Sequence, residues 1–266
     1  MTDKQIHIPR RQFLKQAGRV CLGGTLAASA ICAASRQTLA TEQENEKYDF
    51  YFTRVKFSAA GNAPDKWNVR PGGDANLLKE LSSVIRCKTK PIPDAKDWNP
   101  QYAAESQLNA VVTFDEPRKL RKYPFLFMTG ENYFEFTSTQ KDNFIEYIKR
   151  GGFIFMDDCV VGNGGDFFYQ SSFRLIEELF GKGSVQTVPT THEVFHNVYD
   201  LSQTGLPYMQ GQNYGAKGLF INDRLAIFLS STDLHCGWVD STGEMFSDYK
   251  KALQMGVNII VYAMSH

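Results

Sequence analysis

The stretch 123–165 constrains the fold more than any other part of the sequence. Residues 125–129 and 153–156 are short runs that are apolar without alternation, which is typical of strands covered on both faces. Between them, apolar residues recur at helical spacing. Thr139 and Asp142 resemble a capping box at the start of this helix, and a Gly-Gly pair ends it. Because parallel strands need such a crossover, the stretch predicts a βαβ unit.

The remaining sequence continues the alternation of strands and helices. The patterns predict these elements: a strand at 48–57, a helix from Asp74 to Ile85, a weaker strand at 110–114, a helix from Ser171 to Gly181, a strand at 185–188, an irregular hairpin at 208–220, a buried strand at 225–229, a loop at 230–240 and a last helix at about 246–264. Such an order favours a single three-layer α/β domain with a mostly parallel sheet, spanning residues 48–266.

The first forty residues have the features of an export signal. The sequence RRQFLK at 10–15 precedes a weakly apolar, Ala/Gly-rich segment, and Thr38 and Ala40 offer small residues at a cleavage site. These features resemble a twin-arginine signal peptide over residues 1–40, followed by a charged linker at 41–47. We expect the twin-arginine export machinery to carry the protein to the periplasm or otherwise outside the cell, with no stable membrane anchor after cleavage.

Removal of the signal changes the charge balance. The whole chain is neutral, but residues 1–40 carry six Lys/Arg and one Asp, so the rest of the chain has a net charge of −5. A mildly acidic protein has no electrostatic reason to bind nucleic acid or an anionic membrane. Cys87, Cys159 and Cys236 remain after cleavage, and their spacing does not suggest a zinc site.

Several motifs together resemble a known family. They are YPFLFMTG at 123–130, GGFIFMDDC at 151–159, FR at 173–174, HEVFHNVY at 192–199, NDRLAI at 222–227, DLHCGW at 233–238 and GVNIIVYA at 256–263. In this order they are similar to domain-of-unknown-function family 4159, over roughly residues 48–264. The resemblance implies a flavodoxin-like fold of the class I glutamine-amidotransferase type. It implies no established reaction.

The fold analogy suggests a test of Cys159. Amidotransferase-like domains place a cysteine nucleophile on a strained turn after the corresponding strand, with glycines around it. Here the flanking residues are Asp157, Asp158, Val160 and Val161. Two adjacent carboxylates would raise the pKa of the thiol, which is the opposite of what a thiolate nucleophile needs. The sequence therefore disfavours a Cys-His glutaminase.

Residues 192–196 match the zinc motif HExxH. On a helix, His192 and His196 would face one metal ion, and Asp158 is a further weak metal candidate. However, Pro189 and Gly205 bound the segment closely, so any helix would have about two turns. A polar loop with a satisfied histidine is the favoured interpretation.

Polar residues at successive strand ends form the strongest candidate site. The catalytic candidates are Asp157, Asp158, Cys159, His192 and Asp233, and the candidates for ligand binding are Asp166, Arg174, His235 and Trp238. If the strands are parallel, these residues converge at one sheet edge. Carboxylates with a histidine suit a divalent cation, or a general acid and base for a sugar-like or ester substrate. Alternatively, Asp157 or Asp158 caps the next loop or helix, and Arg174 forms a buried ion pair with one of these two aspartates.

Two classes of function stay open. The first is a non-catalytic binding or assembly domain that kept an amidotransferase-like scaffold, and it is favoured because no nucleophile–base pair is specified by spacing. The second is a periplasmic hydrolase or metal-dependent enzyme that uses the Asp/His strand ends. The ligand or protein partner, the cofactor and the oligomeric state stay open, with a divalent metal as one candidate cofactor.

Overall fold

A computed structural model of the chain describes residues 48–94, 96–160, 165–240 and 242–266. The signal peptide predicted for residues 1–40 and the linker predicted for 41–47 lie outside the described residues. In the part of the chain that is described, no helix has the length and hydropathy needed to cross a bilayer.

Seven strands form one sheet in the order β2-β1-β3-β4-β7-β6-β5. Strand β6 is antiparallel to both of its neighbours, and the other pairings are parallel. The strands are β1 (Thr53–Val55), β2 (Ala110–Val112), β3 (Phe125–Gly130), β4 (Phe153–Asp158), β5 (Val185–Thr187), β6 (Lys217–Ile221) and β7 (Arg224–Ser230).

Helices cover both faces of the sheet. They are α1 (Gly72–Val84), α2 (Pro117–Leu120), α3 (Ser138–Lys149), α4 (Phe167–Phe180), α5 (Leu234–Val239) and α6 (Tyr249–Ser265), with 3-10 turns at Glu105–Gln107 and Glu193–Phe195. Helices α1, α5 and α6 pack on one face, and α2, α3 and α4 pack on the other. The three-layer, flavodoxin-like α/β architecture predicted from the sequence is confirmed.

The central strands sort their side chains by face. Phe125 and Phe127 of β3 and Phe153 and Phe155 of β4 belong to the core beneath α1, α5 and α6. The residues between them, such as Leu126 and Met156, belong to the core beneath α3 and α4. Successive side chains of a strand point to opposite faces, so a strand buried on both sides needs apolar residues throughout. This explains why the two runs lack alternation.

The topology defines two edges of the sheet. Strands β2, β1, β3, β4 and β7 lie side by side in the sheet order of flavodoxin-like folds, and the antiparallel strands β6 and β5 extend the sheet beyond β7. The last residues of β3, β4 and β7 therefore lie along one side, here named the carboxyl edge, and their first residues lie along the amino edge.

Two predicted helix starts differ from the structure. Helix α3 begins after Thr137, whose Oγ1 accepts a hydrogen bond from the Gln140 N–H at 3.3 Å, so Thr139 and Asp142 are not the capping pair. The Gln140 side chain accepts from the Thr137 N–H at 3.0 Å in return. Helix α4 begins at Phe167 and not at Ser171, because its first turn packs against the end of β4.

The regions at 48–57 and 230–240 also differ from prediction. The first strand is regular only over Thr53–Val55, with an isolated bridge from Phe50 to Thr89. The segment expected to be a loop at 230–240 contains helix α5. Asp233 caps this helix, and Gly237 lies inside it, so a short helix forms where the sequence pattern indicates a turn.

Candidate functional site

Asp157 and Asp158 end strand β4 and point to opposite faces of the sheet. The Asp157 carboxylate accepts hydrogen bonds from the N–H groups of His235 at 2.8 Å and Leu234 at 3.3 Å, so it caps α5. Asp158 Oδ1 accepts a longer bond, at 3.4 Å, from the Tyr169 N–H in α4. Both carboxyl groups are fully buried, and Oδ2 of Asp158 has no hydrogen-bond partner among the described residues.

Burial determines the protonation state of the Asp157 and Asp158 carboxyl groups. It raises the pKa of Asp158 to about 9, and the negative charges of Asp233 and Asp157 add to the effect. Burial followed by the charge of Asp233 also raises the pKa of Asp157 well above its ordinary value. The Asp158 carboxyl therefore holds its proton at neutral pH.

Asp233 connects three segments at the carboxyl edge. Its backbone has a left-handed conformation with φ of 55°, which aspartate tolerates better than most residues. One carboxylate oxygen accepts from the Cys236 N–H at 3.2 Å and caps α5. The other accepts from the Val160 N–H at 3.0 Å and from the Gln210 amide at 2.6 Å. Burial raises the pKa of Asp233.

Cys159 lies beside a second thiol and not beside a histidine. Its sulfur is a hydrogen-bonding neighbour of Cys236, and this contact, with burial, raises the pKa of Cys159 well above its ordinary value. The two sulfur atoms and a carboxylate oxygen of Asp233 all lie within 4.8 Å of one another. No histidine of the described chain is hydrogen-bonded to Cys159. This environment differs from that of a thiolate nucleophile, which needs a base or a positive charge.

His235 is held in a buried triad that sequence reasoning missed. The Arg54 guanidinium binds both Asp74 carboxylate oxygens at 2.7 Å, and its Nη2 lies 3.0 Å from His235 Nε2. Because a guanidinium only donates, Nε2 must accept, and burial lowers the pKa of His235, so the ring is neutral. Burial alone would raise the pKa of Asp74, but the charge and hydrogen bonds of Arg54 together with the contact of His235 lower it. The sequence signal that could have revealed this triad was a charged residue, Arg54, within an apolar strand.

Trp238 is also a core residue. It is fully buried, its Nε1–H donates to the Ala252 carbonyl at 2.9 Å, and its ring lies 5.4 Å from that of Phe127 and 5.8 Å from that of Phe155. His235 and Trp238, both predicted to bind a ligand, therefore lie inside the domain and face no open cleft.

His192 lies near the amino edge, away from the aspartates. Its ring centroid is 5.2 Å from that of Tyr262, whose hydroxyl accepts from the N–H of Leu225 near the start of β7. The segment from Glu193 to Phe195 is a 3-10 turn, so His192 and His196 do not share the helical face that HExxH requires. The weak metal candidates Asp158, His192 and His196 therefore do not converge.

An open cleft lies at the carboxyl edge, between α4 and the start of β6. Its volume is about 480 Å³. The lining residues are Asp166, Tyr169, Gln170, Phe173, Arg174, Tyr214 and Lys217. The predicted ligand-binding residues Asp166 and Arg174 thus meet here, whereas sequence reasoning missed Tyr214 and Lys217, which lie far from them in the chain.

Aromatic and charged groups face each other in this cleft. Tyr169 and Tyr214 stack with ring centroids 5.0 Å apart, and the Tyr214 hydroxyl donates to Asp166 at 2.9 Å. The exposed Arg174 guanidinium lies 5.3 Å from the ring centroid of Tyr133. Within the described ranges, no carboxylate forms an ion pair with Arg174. The Lys217 ammonium donates to a threonine hydroxyl at 2.9 Å.

The fold and its carboxyl-edge residues define a flavodoxin-like α/β domain with an open polar cleft. The chain belongs to the family described as Domain of unknown function (DUF4159), whose model matches residues 51–264. A comparison with curated proteins found no match.

Proposed function

We propose that this protein is an exported binding domain on an amidotransferase-like scaffold, and that its cleft binds an acidic sugar without reacting with it. The observation that carries the proposal is the Arg174 guanidinium, which is exposed at the cleft and free of a carboxylate partner in the described chain. A guanidinium in this state is suited to bind a carboxylate of a ligand through two parallel hydrogen bonds.

The composition of the cleft supports a ring-shaped, anionic ligand. Tyr214 is 45% exposed, and it stacks against Tyr169 to form an aromatic wall. Aromatic faces contact the C–H faces of sugar rings, while hydroxyl and carboxylate groups such as those of Tyr214 and Asp166 bind sugar hydroxyls. Lys217 supplies a second positive charge, on the side of the cleft opposite α4.

The placement of the acidic residues favours binding over catalysis. Asp157 and Asp233 are engaged as caps of α5, and Cys159 contacts a thiol. The alternative of a hydrolase rests on Asp158, because a carboxyl with a pKa of about 9 could serve as a general acid. Asp158 is fully buried. Tyr169, whose backbone N–H donates to the Asp158 carboxyl group, lines the cleft, but Asp158 itself has no direct access to a ligand there.

The proposal is tested by calorimetric titration with glucuronic acid oligomers and with neutral glucose oligomers of the same length. We expect the acidic oligomers to bind more tightly, and Arg174→Ala to weaken their binding about ten- to hundredfold, as loss of a charged hydrogen bond does. Arg118→Ala is the matched control, because Arg118 is an exposed arginine of α2 outside the cleft.

Equal affinity for both oligomers, or affinity that Arg174→Ala leaves unchanged, would contradict the proposal. An assay for newly formed reducing ends is run on the same mixtures. Release of reducing ends that is lost in Asp158→Asn would replace the binding function by the hydrolase alternative.

A further inference from the structure

We propose that Cys159, Asp233 and Cys236 form a binding site for a thiophilic divalent cation, with Zn²⁺ as the best-fitting ion. The site lies at the carboxyl edge beneath α5 and is separate from the cleft lined by Arg174. The proposal does not depend on the acidic-sugar function.

The geometry of the three side chains carries this inference. Their donor atoms, two sulfurs and one carboxylate oxygen, lie within 4.8 Å of one another. Tetrahedral zinc with Zn–S bonds of about 2.3 Å places two sulfurs about 3.8 Å apart, so the cluster needs only a small contraction to hold the ion. Thiolate and carboxylate are both ordinary zinc ligands.

The backbone fixes the donors in this position. Cys159 directly follows β4, whereas Asp233 and Cys236 belong to the cap and first turn of α5. Asp157 binds the first two N–H groups of α5 and so holds this helix against the end of β4. Three donors from two elements are thus brought together before any ion binds, which lowers the entropic cost of binding.

The charges around the cluster favour a cation. Asp157, Asp158 and Asp233 are fully buried here, and none of them forms an ion pair with a described lysine or arginine. The nearby Arg54 is already paired with Asp74 in a two-bond contact. No lysine or arginine of the described chain therefore competes with a cation for Asp233, and a divalent ion at the cluster would take the place of the protons that its ligands otherwise hold.

Binding of the ion is accompanied by the release of protons from the thiols. Each thiol that bonds to the ion loses its proton to solvent, and Asp233 contributes an oxygen lone pair. Three protein ligands leave one of the four tetrahedral positions for water or another oxygen donor. Cys236 is only partly buried, so the cluster lies closest to solvent on the side of this residue.

The test uses the purified full chain, reduced and freed of metal, with Co²⁺ as a spectroscopic probe and Zn²⁺ as a competitor. We expect one equivalent of Co²⁺ to produce a thiolate-to-cobalt charge-transfer band that Zn²⁺ abolishes. Cys236→Ser should lower the band at least by half, because one of the two thiolates is lost, and Asp233→Asn should weaken binding at least about tenfold. Cys87→Ser is the matched control and should keep both band and affinity, because Cys87 is outside the cluster.

A second measurement avoids variants that fail to fold. In the wild-type protein, Zn²⁺ should protect Cys159 and Cys236 from alkylation while the reactivity of Cys87 is unchanged. The absence of a cobalt band and of protection in reduced protein would overturn the proposal. A Cys159–Cys236 disulfide found by peptide mapping in freshly purified, metal-free protein would also overturn it, since the pair would then be a structural cross-link.

Discussion

At the scale of single residues, the end of β4 shows how one peptide step changes the environment of a side chain. Asp157 receives two backbone hydrogen bonds from α5, whereas Asp158 receives one long bond from α4 and keeps one oxygen without a partner in the described chain. Buried carboxyl groups with few donors are more stable protonated than ionised. Asp158 therefore behaves as a neutral, weakly anchored group.

This protonation predicts a stability change with pH. The pKa of Asp158 in the folded protein, about 9, is above its ordinary value of 3.8, so between these values unfolding releases its proton. The contribution of Asp158 to stability is thus fully present below pH 4 and is lost as the pH rises towards 9. We expect Asp158→Asn to reduce the pH slope of the unfolding free energy by up to about 1.4 kcal/mol per pH unit.

Urea denaturation of wild type and variant from pH 5 to pH 9 measures this slope. Asp142→Asn serves as the comparison, because Asp142 is an exposed aspartate on the surface of α3. If wild type and Asp158→Asn show parallel pH profiles, the carboxyl is ionised in the folded protein and the assignment of its proton is wrong.

At the scale of elements, helix α3 depends on its first turn. Thr137 and Gln140 bond reciprocally to each other's backbone, so Thr137→Ala removes one of these bonds. We expect a loss of about 1 kcal/mol of unfolding free energy. Thr139→Ala is an internal control with the same chemical change two residues later, and it should alter stability by less than about 0.5 kcal/mol. Thermal unfolding followed by circular dichroism compares the two, and a larger loss for Thr139→Ala would contradict the cap.

The sequence predicted the elements whose signals are local. The βαβ unit around β3, α3 and β4 has continuous apolar runs and helical periodicity, and it is confirmed. Helix α5 was missed because Gly237 and the aspartate-bounded segment around it indicate a turn, while the stability of this helix comes from contacts with β4 through Asp157. Packing against distant elements often overrides local preference in this way.

The candidate site was predicted only where topology determined it. Parallel strands bring Asp157, Asp158 and Asp233 to one edge, and this convergence follows from the order of the elements. The pairing of Cys159 with Cys236 depends on the register of α5 against β4, which a single sequence does not encode locally. Likewise, His192 follows β5 but its chain turns back to the amino edge, where its ring packs near Tyr262.

At the scale of the whole molecule, the export proposal makes a prediction about location. We expect the double variant Arg10→Lys, Arg11→Lys to abolish export, because the twin-arginine machinery reads this pair as an address. Fractionation of a bacterial host with immunodetection measures the periplasmic share, and Arg19→Lys is the control outside the RRQFLK motif. Undiminished export of the double variant would exclude the twin-arginine pathway.

The alternation of side chains at the end of β4 also makes the length of this strand critical. Inserting or deleting one residue within the strand would exchange the faces, so the thiol of Cys159 would be directed to α4 and the carboxyl of Asp158 to α5. Both helical layers would then lose their anchor at once. The length of β4 is therefore as important to the two helical layers as the side chains at its end.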